Sequence, residues 1–256
     1  MSEYQAAGST DVGKVRDHNE DRYIIDRREG VLVVAVADGV GGTAGGELAS
    51  EAAVLELANA FKHGRRDLGK GLAEALGKAN DAVLGVQRQH ALAGAATTVV
   101  AAAIRGQRLA IANLGDSRAY VLRGGTLRQV TKDHTGSQTR SITRFAGDPR
   151  GVRPDVFIEE LRPGDRLLLC SDGVTIHLSS AELVPILARG GAKDAAMAIV
   201  HAAVDQGGRD NATAVVVVAG PRALRWELIV LWTTVVLALG AIATTLFLVS
   251  QQTPVR

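Results

Sequence analysis

The sequence predicts an α+β chain: a β-sandwich of two mainly antiparallel sheets flanked by helix pairs, followed by one C-terminal transmembrane helix. Three observations lead there. Short apolar runs rich in β-branched residues recur between tight turns. Two pairs of segments with helically spaced apolar residues interrupt those runs. Residues 228–249 are apolar and carry no charge.

Residues 31–37 (VLVVAVA) read as a buried strand ending at Asp38-Gly39. A glycine-rich loop follows over 39–46. A helix is expected from Glu47, with Leu48, Ala52 and Leu55 on its inner face, and a second carries Leu68, Leu72, Ala75, Leu76, Ala79, Val83 and Val86 at helical spacing. Residues 96–105, 108–113, 118–123 and 126–130 are read as strands, and the short glycine-bearing turns between them imply antiparallel pairing. Residues 131–154 are polar, with little periodicity, and are read as a surface loop. Residues 165–171 form another buried strand, which contains Cys170. Residues 179–188 and 192–204 look helical, with Ser179 or Ser180 as the cap. The last strand spans 213–219, and Gly220-Pro221 closes the domain. Helix pairs in this order can cover stacked sheets. The expected organisation is therefore a globular domain over 1–220, a linker over 221–227, the membrane helix over 228–249 and a tail over 250–256.

Composition narrows the function. Lys and Arg number 29 against 27 Asp and Glu, a net charge of +2, and no basic run stands out, so nucleic acid is not an expected partner. Aromatic residues make up only 4%, too few for stacking platforms. Cys170 is the single cysteine; it can form neither an internal disulfide nor a thiolate cluster, and it fits a reducing compartment. The six histidines lack zinc-ligand spacing.

The apolar segment would span roughly 33 Å as a helix, enough for a hydrocarbon core of about 30 Å. Arg222 and Arg225 precede it, with Trp226 and Trp232 near the same boundary, and only Arg256 is basic beyond it. Positive charge stays inside, so the expectation is a single-pass protein of the cell membrane with its globular domain in the cytoplasm. No basic stretch followed by an apolar run opens the chain, so no signal peptide is expected.

Acidic residues sit where apolar strands end. Asp38 follows the first strand, Asp172 follows 167–171, Asp210 precedes 213–219, and Asp21 precedes Ile24-Ile25. Any one of these could be an ordinary turn residue. Four at strand ends can converge, and converging carboxylates repel unless they hold protons or cations. Oxygen donors select hard ions such as Mg²⁺ or Mn²⁺.

These segments resemble the motifs of the protein phosphatase 2C family. The residues that carry the resemblance are 13–21 (GKVRDHNED), 38–42 (DGVGG), 94–100 with Ala96-Thr97-Thr98, 113–118 (NLGDSR), 170–173 (CSDG) and 209–213 (RDNAT). They run in the family's order from about residue 9 to 219. The resemblance implies two ions, Mn²⁺ or Mg²⁺, that activate a water for attack on phosphoserine and phosphothreonine. It implies that Asp38 bridges the ions, that the Gly39 carbonyl binds one, and that Asp172 and Asp210 complete the shell. Glu20 and Asp21 would hold or orient waters around the ions, and Asn211 would hold a water or the phosphate. Arg16 would grip the substrate phosphate, a task suited to a guanidinium fork. Asp116 with Asp172 would offer a third, weaker metal position.

Two departures from the family pattern stand out. Many members have histidine after the Asp-Gly, and here Val40 stands there. The flap after Asp133-His134-Thr135 is short, because 141–147 follows almost at once. His134 itself reads as a turn residue, and His177 as a surface residue. The implied partners are phosphoprotein substrates, a membrane-associated serine/threonine kinase and its targets, and membrane lipid around the C-terminal helix. The rival reading is a catalytically inactive, membrane-tethered module that binds a phosphoprotein or a signal. The complete acidic set stands against it.

Overall fold

The structure, a computed structural model, describes residues 4–40, 45–61, 67–136 and 141–220. They belong to the unit Ser2–Gly220. Among the described residues, no helix is long and apolar enough to cross a membrane. The expected linker, membrane helix and tail, 221–256, lie outside them.

The strands are β1 (Tyr4–Asp11), β2 (Asp21–Arg28), β3 (Val31–Val40), β4 (Ala96–Thr97), β5 (Val99–Arg105), β6 (Arg108–Leu114), β7 (Arg118–Arg123), β8 (Thr126–Gln129), β9 (Asp155–Glu160), β10 (Arg166–Cys170) and β11 (Ala212–Ala219). The helices are α1 (Gly46–Ala60), α2 (Leu68–His90), α3 (Asp172–Thr175), α4 (Ser180–Leu187) and α5 (Ala192–Asp205). One sheet runs β1-β11-β10-β7-β8, and the other runs β2-β3-β5-β6-β9, with β4 pairing onto β3. The strand pairings are antiparallel.

The apolar runs form strands because both faces of each sheet are covered. Val31, Val33, Ala35 and Ala37 of β3 pack with Leu57, Leu72 and Leu76 of the α1–α2 pair. The alternate residues Leu32, Val34 and Val36 point the other way, against Leu167, Leu169, Val215 and Val217. Leu168, Cys170 and Val216 then meet Leu183, Ile199 and Val200 of the α4–α5 pair. A strand with period-2 side chains and apolar cover on both faces has no polar side to show. The result is helices, sheet, sheet, helices, as expected. The Ser179 side chain caps α4 in a reciprocal box with Glu182, and Asp67 caps α2.

Several expectations are corrected. Strands β1, β2 and β9 were not anticipated. The first two are polar or mixed sequences recruited by pairing with β11 and β3. In β9, Val156 and Ile158 face outward. The inner face of α1 is Ala49, Ala53, Val54 and Leu57; Leu48 and Leu55 are exposed. The stripe runs one position later because small Ala49 and Ala53 let the helix approach β3 closely. Asp172 opens the short helix α3 instead of a simple turn.

The described part of the 131–154 loop has no helix or named strand. It is pinned by a bridge between Thr97 and Ala146 and by buried Asn80 of α2. The Asn80 side chain accepts from the backbone N–H groups of Gly147 and Asp148 at 2.8 and 2.9 Å, and donates to the Asp148 carbonyl at 3.2 Å. Asn80→Ala strands those groups. It should cost about 2 kcal/mol of unfolding free energy in urea titration; an unchanged midpoint would show that the loop holds itself.

Candidate active site

Antiparallel pairing gathers the strand ends. Asp21 at the start of β2 lies opposite Asp38 near the end of β3. Cys170 at the end of β10 pairs with Ala214 of β11, which sets Asp172 beside the segment carrying Asp210 and Asn211. The β6–β7 turn brings Asp116 to the same rim. Asp38 feels the charges of Asp21, Asp172, Asp210 and Asp116. The structure thus brings together five of the carboxylates singled out in the sequence. Glu20 stands at the edge of the group, within reach of the charges of Arg16 and Asp210.

Local chemistry explains each placement. The Asp38 carbonyl accepts from Thr98 N–H at 2.8 Å and from the Thr97 hydroxyl at 2.9 Å. Gly39 is required by packing, since a Cβ there would sit 2.5 Å from the backbone of Gly46. Its N–H donates to the Glu20 carbonyl at 3.3 Å. The Asn211 side chain is a strap: Oδ1 accepts from Glu20 N–H at 2.8 Å, and Nδ2 donates to the carbonyls of Val12 and His18 at 2.9 and 3.0 Å. Asn211 therefore ties the two ends of the domain together, and its amide is fully engaged. Arg16 donates to Asp210 Oδ2 at 2.8 Å through one nitrogen. Among the described residues it is the one basic side chain that ion-pairs with this set.

Burial decides the electrostatics. Asp21 is buried; Oδ2 accepts from the Ser171 hydroxyl at 2.7 Å, and Oδ1 has no partner. Loss of solvent, reinforced by Asp172 and Asp210, pushes its carboxyl up to about 7, against the hydrogen bond from Ser171. Asp38 is half-buried and closely surrounded by protein atoms. Burial and then the four neighbouring carboxylates hold it well above the usual range. Burial followed by Asp116 and Asp210 raises Asp172 to about 6. Asp116 and Glu20 are raised as well, chiefly by burial. A second buried, partnerless oxygen is Asp116 Oδ1. Asp116 and Asp172 both line a cleft of about 550 Å³.

Crowded, partly desolvated carboxylates with unpaired oxygens are a donor set for hard divalent cations. Among the described residues, no three Asp, Glu, His or Cys side chains close into a ready-made coordination shell. The donor chemistry fits Mg²⁺ or Mn²⁺, ions that keep several waters and take few direct protein ligands.

The structure adds residues that the sequence did not single out. Ser171, just past the end of β10, and Thr213, in β11, are buried polar residues beside apolar runs. The Ser171 hydroxyl also accepts from Thr213 N–H at 3.0 Å. A lone hydroxyl at the rim end of an apolar run was the available signal. Arg118 grips Asp133 with three contacts of 2.7–3.1 Å beside Asp116. His134, expected as a turn residue, is buried between Gly115 and Asp155. His177 is half-buried and accepts from Arg209 N–H at 3.2 Å.

Comparison with known proteins identifies the family. The chain matches the family described as Protein phosphatase 2C over residues 14–202. It is 33% identical over 234 residues to a serine/threonine phosphatase, stp, of Listeria welshimeri, covering 81% of this chain and 93% of that protein. It is 35% identical over 229 residues to the serine/threonine protein phosphatase PstP of Mycobacterium tuberculosis, covering 82% of this chain but 44% of that longer one. A crystal structure of the catalytic domain of PstP in complex with two manganese ions superposes with a TM-score of 0.78 at 34% identity, covering 85% of this chain and 99% of the other. Sequence match, fold and motif order coincide, and the chain belongs to the protein phosphatase 2C family of metal-dependent serine/threonine phosphatases.

Proposed function

We propose that this chain hydrolyses phosphoserine and phosphothreonine monoesters on proteins, with two divalent ions held by the carboxylate rim and a third, weaker position at Asp116 and Asp172. The observation that carries this reading is Asp38, half-buried and within the charge field of four other carboxylates. Bound Mn²⁺ or Mg²⁺ would neutralise that cluster and activate a water for in-line attack at phosphorus. Asp38, Asp172, Asp210 and the Gly39 carbonyl would hold the ions. Asp21, fixed by Ser171, would orient solvent, as would Glu20 at the edge. Asn211 is fully occupied by backbone contacts, which supports a role in fixing Glu20 in place of a direct grip on phosphate. Arg16 spends one nitrogen on Asp210 and keeps the rest of its fork for phosphate oxygens. Val40 has no ionisable group to give up a proton, so protonation of the leaving alkoxide falls to solvent. An inactive binding module would have no use for a complete set of carboxylates whose mutual repulsion costs stability.

We further propose that residues 228–249 anchor the domain to the cytoplasmic face of the cell membrane, where it opposes a membrane-associated kinase. The support is the uncharged apolar run, with Arg222 and Arg225 on one side. The linker of 221–227 would keep the site near the bilayer.

Three outcomes are expected. Turnover of p-nitrophenyl phosphate and of phosphothreonine peptides should need Mn²⁺ or Mg²⁺. It should stop with EDTA and vanish in Asp38→Asn, which stays folded by circular dichroism; full activity in EDTA would overturn the mechanism.

The second outcome is a pH effect on the metal-free protein. Asp21 and Asp172 bind protons in the native state that the unfolded chain has already lost, so native stability rises as pH falls through about 7 to 6. In EDTA the melting temperature should be higher near pH 5.5 than near pH 8, and Mn²⁺ should restore it more at pH 8. Equal melting temperatures would show that the cluster is not strained.

For the anchor, a chain ending at Pro221 should be soluble with unchanged kcat on small substrates. Recovery of the full chain in the soluble fraction without detergent would rule the anchor out.

A further inference from the structure

His134 lies outside the carboxylate set, yet it is buried at 7% exposure and makes contacts on every side. Nδ1 accepts from the backbone N–H of Gly115 at 3.1 Å. That bond leaves the ring proton on Nε2, which lies 3.1 Å from Asp155 Oδ2 and donates to it; the Arg144 guanidinium, 3.3 Å from the same nitrogen, only donates and so spends its proton on the carboxylate. Arg144 pairs with the other oxygen of Asp155 at 2.7 Å. The backbone N–H of His134 donates to the Gly115 carbonyl at 3.0 Å. Asn113, opposite Asp155 across β6 and β9, donates to the same carbonyl at 3.1 Å.

Both polar groups of Gly115 are therefore gripped by buried partners. Gly115 has φ +109, and a Cβ there would sit 2.6 Å from Thr98, so the turn admits no other residue in this shape. The next residue is Asp116, whose unpartnered Oδ1 is buried beside Asp172.

We propose that His134 is a positioning residue: its imidazole, oriented by Asp155 and Arg144, clamps the Gly115 turn so that the Asp116 carboxylate faces Asp172. This rests on the reading of Asp116 and Asp172 as a cation position. Because Arg144 and Thr143 belong to the short loop after Asp133, the clamp also joins that loop to the site; Thr143 N–H and hydroxyl donate to the His134 carbonyl at 2.7 and 3.0 Å.

The test uses the full chain in detergent. Asn places an oxygen where Nδ1 stands, whereas Gln reaches toward Asp155 but offers Gly115 no acceptor. In His134→Gln, hydrogen exchange at the Gly115 amide of the metal-free protein should quicken about tenfold, and kcat with Mn²⁺ should fall about tenfold with little change in KM. His134→Asn should keep both near wild type. In an Asp116→Ala background, His134→Gln should lower kcat no further. If His134→Gln fails to fold, Asp155→Ala, which removes only the orienting carboxylate, should quicken the same exchange and lower kcat, with His134→Asn as the rescue. Wild-type exchange and kcat in His134→Gln, or in Asp155→Ala where that stands in for it, would overturn the proposal. So would a kcat loss that persists undiminished without Asp116. If Asp116→Ala alone keeps wild-type kcat and Mn²⁺ binding by calorimetry, the cation reading of Asp116 falls, while the Gly115 exchange still decides the clamp.

Discussion

Repulsion among carboxylates at one end of the sandwich is the constraint around which the rest of the domain is arranged. Five acidic side chains converge at one rim, and burial holds the Asp21, Asp38 and Asp172 carboxyls above the usual carboxylate range. Holding them there demands a frame that does not relax, and two sheets covered by helices on their outer faces supply it. Three apolar clusters, one between the sheets and one beneath each helix pair, tie every layer to the next. The polar contacts at the rim then aim the carboxylates. Ser171 fixes Asp21, Thr97 and Thr98 fix the Asp38 backbone, and Asn211 fastens the segment before β2 to the segment before β11.

The same division explains what could be read in the sequence. Strands β3, β5, β6, β10 and β11 were legible because they are buried on both faces, and an unbroken β-branched or alanine-rich run has few other uses. Strands β1 and β2 were not, because their identity comes from a partner. Tyr4–Asp11 has no alternation of its own and becomes a strand by lying along β11. In β9, only Phe157 of its three consecutive apolar residues packs against the inter-sheet core. The helix pair α1–α2 was legible in outline, but alanine made the inner stripe of α1 ambiguous by a single position.

The candidate site was legible for a different reason. Asp38 and Asp172 directly follow apolar runs and Asp210 shortly precedes one, so their location at strand ends needed no structure. What held them could not be read, because Ser171 and Thr213 act through contacts with residues far away in the chain. His134 shows the limit most clearly. Beside Asp133 it read as a turn residue, and only the approach of β9, itself unforeseen, buries its ring against Asp155.

One consequence follows from the seat of Cys170. It is the chain's single cysteine, and it stands on β10 beneath the α4–α5 pair with its thiol pushed up to about 12 by burial. A thiolate is what peroxides and alkylating agents attack, and here almost none forms near neutrality. A hydrolase that draws its nucleophile from solvent has no need of one. Peroxides that silence thiol-dependent enzymes would therefore leave this domain's only sulfhydryl reduced.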